Sequence, residues 1–122
     1  MFLVFEIHFF VMKLKEIKTN ISKNFDDVVF EYSNPDGARI DALVSGVLAV
    51  EFEKSYKWIN QRVLYNVVKA KRAGLKKLVI VYPFNPKSIE SSWVNKFSQE
   101  QGIKLILADR ENYLGVIKKE LY

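Results

Sequence analysis

From Met12 to Phe25 the apolar residues Leu14, Ile17, Ile21 and Phe25 recur at near-helical spacing, with lysines and asparagines between them, which predicts a first helix. Val28-Val29-Phe30-Glu31-Tyr32 is β-branched and aromatic, and it ends in the turn signal Ser33-Asn34-Pro35-Asp36-Gly37. Two more strand-like runs, Arg39 to Val44 and Val47 to Glu53, are separated by Ser45-Gly46, so residues 28 to 53 predict a three-stranded antiparallel meander. Ser55 is placed to cap a helix from Tyr56 to Ala73, closed by Gly74 and expected to be the longest in the chain. Lys77 to Tyr82 is a continuous apolar run of the kind buried on both faces, which suggests a strand inside a mixed or parallel sheet. A helix from Ser88 to Gln101, a buried strand from Ile103 to Ala108 and a closing helix from Glu111 to Tyr122 complete the order α-β-β-β-α-β-α-β-α. The expectation is an α/β fold in a single domain spanning residues 1–122, since 122 residues hold one core and not two.

The opening stretch, Phe2 to Val11, is apolar but too short for a membrane span and is interrupted by Glu6. It has neither a basic leader nor a small-residue cleavage site, so a cytoplasmic protein without membrane association is expected. Two readings of the stretch stay open: an extra strand at a sheet edge or dimer contact, or a translation start placed too early, with Met12 opening the first helix.

Composition narrows the chemistry more than the fold. There is no cysteine and His8 is the single histidine, which excludes thiol catalysis, disulfides, Cys/His zinc sites and histidine-centred triads. Carboxylate and lysine chemistry remain, and any catalytic metal would be a hard, oxygen-liganded ion, Mg²⁺ or Mn²⁺. Lys and Arg number 19 against 14 Asp and Glu, a net charge of +5, and that surplus is compatible with a polyanionic partner.

The acidic residues with most to offer lie on the meander: Asp41, and then Glu51 and Glu53 in Ala49-Val50-Glu51-Phe52-Glu53-Lys54. Strand alternation puts Glu51 and Glu53 on one face. Asp41 joins them only if the turn allows it. A two-residue loop at Ser45-Gly46 sets Asp41 against Val50, whereas a three-residue loop or a bulge with left-handed Gly46 sets odd positions against odd. In the second register Asp41, Glu51 and Glu53 are expected to cluster, and two carboxylates with a nearby carbonyl supply half the shell of a Mg²⁺ ion.

An Asp on a hairpin strand, a Glu-x-(Lys/Glu) about ten residues later, then a long helix and a buried strand resemble the PD-(D/E)XK nuclease superfamily. The resemblance covers residues 12 to 82 and implies a restriction-endonuclease-like αβββαβ core with a mixed central sheet flanked by helices. Gln61 and Tyr65, beside Arg62, match the Gln-x-x-x-Tyr motif of RecB-like members, and at i and i+4 they share a helix face. The resemblance implies a Mg²⁺- or Mn²⁺-dependent nuclease acting on DNA, with Asp41 and Glu51 as metal ligands and Gln61, Arg62 and Tyr65 on the nucleic acid. Glu16, on the first helix, resembles the glutamate that many members direct at the metal. The chain departs from the pattern where the family has its lysine, because Glu53 stands there. Lys54 or Lys57 could supply that charge instead, and Asp41, Glu51, Glu53, Lys54 and Lys57 form the expected catalytic set.

Pro35-Asp36, which matches the family's name literally, belongs to a turn and is set aside. Trp58, Lys69, Lys71 and Arg72 on or beside the long helix interleave an aromatic with basic residues that could track phosphates. They serve equally as a core residue and the basic end of a helix dipole. Two alternatives accompany the nuclease: a homodimeric endonuclease of the archaeal Holliday-junction-resolvase type, and a catalytically silent nuclease-fold module that binds nucleic acid or protein, with Glu53 marking the lost lysine. A third reading is an α/β interaction domain whose acidic residues fall together by chance.

Overall fold

The computed structural model describes residues 2–55, 57–83 and 92–122, with side chains from residue 13 onward. Four helices among them, α1 (Phe2–Asn24), α2 (Ile59–Arg72), α3 (Trp93–Glu100) and α4 (Tyr113–Leu121), flank one sheet. Its strands are β1 (Val28–Ser33), β2 (Arg39–Val44), β3 (Leu48–Phe52), β4 (Lys77–Tyr82) and β5 (Lys104–Asp109), and they lie side by side in chain order. The first three pair antiparallel, as short turns permit, and β3-β4-β5 pair parallel through the crossovers that contain α2 and α3. The fold is therefore mixed α/β, as the residue pattern predicts.

Each face of the sheet carries its own core. Ala42, Val44, Leu48, Val50, Val79, Val81 and Ala108 meet Ile17, Ile21 and Phe25 of α1 and Tyr113 and Ile117 of α4. On the other face Ala49, Leu78 and Ile80 meet Val63, Val67 and Ala70 of α2 and Val94 of α3, with Ile59 partly buried beside them. After Lys77, β4 is apolar and buried from Leu78 to Tyr82 because both of its faces are covered.

The β2–β3 turn decides the register. Ser45 and Gly46 both adopt left-handed conformations, with φ of 54° and 69°, and Val44 pairs with Leu48 across a three-residue loop. Carried along the strands, that register sets Asp41 opposite Glu51, the second of the two arrangements the sequence left open. One further irregularity bears on this end of the hairpin. Glu31 has φ of 52° within β1, and the pairs on either side of it pack on opposite faces. Phe30 joins the α1 side with its partner Ala42, whereas Tyr32 and its partner Ile40 join the α2 side. The facing of the β1–β2 ladder thus turns over beside Asp41, which frees that position from ordinary strand alternation.

Three expectations change. Phe2 to Val11 is neither an edge strand nor a separate extension, because α1 runs unbroken through it and, with 23 residues against 14, α1 rather than α2 is the longest helix. α2 begins at Ile59 after Trp58, not at Tyr56, and Ser55 does not cap it; the Ser55 hydroxyl instead accepts the Lys57 backbone N–H at 3.3 Å. The helix expected from Ser88 begins at Trp93, after Ser92 at its N-cap, and the expected positions 88–91 lie outside the described residues. No helix among the described residues is long and apolar enough to cross a membrane.

Candidate active site

Pairing of β2 with β3 stops at Ala42 and Val50, and beyond that point side chains take over the hydrogen bonds of the backbone. The Asp41 N–H donates to Glu51 Oε1 at 2.6 Å, and the Phe52 N–H donates to Asp41 Oδ2 at 2.8 Å. Each carboxylate thus satisfies a backbone donor of the opposite strand, and the two acids are held in the gap where the strands part. Glu51 is almost fully buried, with 2% of its surface exposed.

The countercharge comes from α2. Lys69, 8% exposed, forms an ion pair with Glu51. Its ammonium also donates to the Arg39 carbonyl at 2.7 Å and lies 4.9 Å from the centre of the Tyr65 ring, a cation–π contact. One lysine thus faces two acids, Glu51 buried and Asp41 half-buried. Burial raises the Glu51 carboxyl to about 7, with the neighbouring Asp41 charge adding to the rise and Lys69 opposing it. Asp41 is also raised, first by burial, against the Phe52 N–H and Lys69, which favour its charged form.

Glu53 does not join this pair, so the expected cluster of three carboxylates does not form. It is 4% exposed and turns toward α2, where Arg62 Nε donates to Oε2 at 2.6 Å and Asn66 Nδ2 to Oε1 at 3.1 Å. Its N–H bonds the Val81 carbonyl at 2.9 Å, which anchors this point of the chain to β4. Among the described residues no group of three or more acidic or histidine side chains is close enough to hold an ion together.

The lysine expected from Lys54 or Lys57 arrives from elsewhere. Both of those side chains are exposed, and the lysine paired with the carboxylates is Lys69. Its signal in the sequence was the four-residue spacing Gln61, Tyr65, Lys69, which puts all three on one helical stripe. Tyr65, 57% exposed, borders the pair through Lys69, and Gln61 is exposed one turn earlier. Glu16 is not at this site: it pairs with Lys13 at 3.3 Å and borders a cavity of about 290 Å³ with Arg110, Glu111 and Tyr113. Lys71 and Arg72 are tied to the scaffold, Lys71 to the Gln101 carbonyl at 3.0 Å and Arg72 to Asp36 at 2.8 Å. Asp36, set aside as turn chemistry, accepts the Ala38 N–H at 3.0 Å within its own turn. Trp58 is no core residue, since 64% of its surface is exposed.

A buried acid pair with one lysine can hold a hard cation, orient a water and stabilise negative charge developing on a phosphate. Comparison with protein-family models, with curated proteins and with solved structures gives no match, so the reading of this site rests on its own residues.

Proposed function

We propose that the chain is a divalent-metal-dependent nuclease that hydrolyses phosphodiester bonds in DNA, with Asp41, Glu51 and Lys69 as its catalytic set. The observation that carries this reading is the buried Glu51–Lys69 pair beside Asp41: a helix lysine stands where the resemblance calls for one and Glu53 fails to supply it. The donors suit Mg²⁺ or Mn²⁺, because both are carboxylate oxygens and the burial that raises their pKa penalises a charge that a bound cation would offset. Asp41 and Glu51 would hold the ion, which when bound lowers the pKa of a water and offsets charge on the phosphate. Lys69 is positioned by the Arg39 carbonyl and the Tyr65 ring to donate to a phosphate oxygen as charge grows on it. Tyr65 and Gln61 border the same stripe, where the scissile strand would run.

The test is a cleavage assay with Mg²⁺ and with Mn²⁺ on linear duplex, single-stranded, flapped and four-way substrates. Cleavage of at least one, lost in Asp41→Ala, Glu51→Ala and Lys69→Met while DNA binding persists, supports the proposal. Preference for the four-way substrate by a dimer would place the chain with resolvase-type endonucleases. A second reading, a silent nucleic-acid-binding module, draws on the fact that both acids already serve backbone N–H groups of the hairpin. It is the conclusion if no substrate is cut with either metal and Asp41→Ala leaves metal binding unchanged.

A further inference from the structure

The start of α2 is arranged at odds with what a helix needs. Trp58 occupies its N-cap with φ of 57° and ψ of 37°, a left-handed conformation that a bulky L side chain adopts only under constraint, and it makes no side-chain cap. Its indole is 64% exposed, so packing does not offset that conformation. One helical turn on, the Arg62 N–H bonds the Trp58 carbonyl at 2.9 Å. The Arg62 side chain is more than half exposed, yet its Nε is fixed on the buried Glu53 carboxylate at 2.6 Å. Asn66 holds the other oxygen of Glu53, so that acid cannot swing away. The charges of Asp41 and Glu51 also act on Arg62, so the guanidinium lies within electrostatic range of the carboxylate pair.

An exposed indole one helical turn before a guanidinium fixed through one nitrogen matches a nucleotide, whose base offers a flat face and whose phosphate accepts from the remaining N–H groups. In a duplex those faces are covered by neighbouring bases, so the base must be unpaired. We infer that Trp58 and Arg62 form a subsite for one unpaired nucleotide of a single strand, with the indole stacked on the base and the guanidinium on its phosphate. Glu53, at the position where the family resemblance expects lysine, is the positioning residue that holds Arg62 in place. The inference rests on the nuclease reading for its place beside the scissile bond, but its binding chemistry requires no metal.

The experiment uses the full chain carrying Trp93→Phe, which leaves Trp58 as the only indole. In EDTA, Trp58 emission and the anisotropy of a labelled oligonucleotide are followed with single-stranded DNA, single-stranded RNA and duplex DNA of equal length. Single strands are expected to quench Trp58 and duplex is not; comparison of the two single strands identifies the preferred sugar. Trp58→Leu should weaken single-strand binding about tenfold, within the range for loss of one stacked base. Arg62→Gln should lower the salt slope of log affinity by about 0.7, one phosphate contact on a single strand. Glu53→Gln, nearly isosteric, should reproduce that lower slope and have no further effect in the Arg62→Gln background, with thermal melts confirming that each variant folds. Unchanged Trp58 emission on saturation with a single strand, or equal quenching by duplex, overturns the inference. So does a Glu53→Gln slope equal to that of the parent. Cleavage with Mg²⁺ but no Trp58 response would leave the nuclease standing and remove this subsite; quenching without cleavage on any substrate would do the reverse.

Discussion

Lys69 is worth more to this molecule than a surface lysine because it answers a charge that solvent cannot reach. Removing one partner of a buried pair leaves the other uncompensated, at a cost of about 3 kcal/mol. Lys69→Met should therefore lower the urea midpoint markedly at pH 8, while Glu51→Gln costs less, since the ammonium keeps the Arg39 carbonyl and the Tyr65 ring. The double variant is expected to be more stable than Lys69→Met alone, and a double-mutant cycle of denaturant melts measures that coupling. A double variant no better than the single would show that Glu51 and Lys69 do not sense each other. Asp41 opposite Glu51 was readable from the sequence because the three-residue turn sets that register, whereas Glu53, which strand alternation was expected to bring to the same cluster, is held by Arg62 and Asn66 instead. The lysine beside Asp41 and Glu51 was expected at Lys54 or Lys57 because proximity in the chain suggests proximity in space, whereas Lys69 reaches the pair from about three helical turns along α2.

Elements show the same division between what local pattern fixes and what tertiary context imposes. The meander follows from β-branched runs and turn residues, and left-handed Gly46 was the signal for its register. The start of α2 was misread because Ser55 looks like a cap, whereas the chain turns through Trp58 in a conformation that sequence propensity disfavours. This difference gives a prediction at the scale of the helix. Glycine adopts left-handed φ without a Cβ clash, so Trp58→Gly should relieve roughly 1 kcal/mol of strain while forfeiting little packing from an exposed side chain. The variant should melt a few degrees higher, and by the subsite argument it should bind single strands less well. A lower melting temperature would mean that the indole supports the fold, and would remove the reason for assigning it to a ligand.

At the scale of the molecule, two cores clamp one sheet and leave the parting of β2 from β3 as one place where buried charge is tolerated. The layer order was legible because each run of apolar residues reports how many of its faces are covered. The burial of Glu51 and Glu53 was not, because alternation with apolar residues describes a solvated hairpin face equally well. That burial makes global stability depend on pH. The Glu51 carboxyl rises from 4.5 in the unfolded chain to about 7 in the fold, so its neutral form is the one the fold prefers. Stability from this group is complete below pH 4.5 and is lost as pH rises through 7, about 3 kcal/mol over the full range, and Asp41 shifts in the same direction. In EDTA the protein should therefore unfold at lower temperature at pH 8 than at pH 5, and Glu51→Gln should flatten that dependence. Mg²⁺ or Mn²⁺ favours the ionised acids, so added metal should raise the melting temperature more at pH 8 than at pH 5, and Asp41→Asn should abolish the rise. Calorimetry over a pH series with and without metal separates the two effects. A pH dependence that survives Glu51→Gln would place its source elsewhere, and a metal shift that survives Asp41→Asn would take the ion away from this pair.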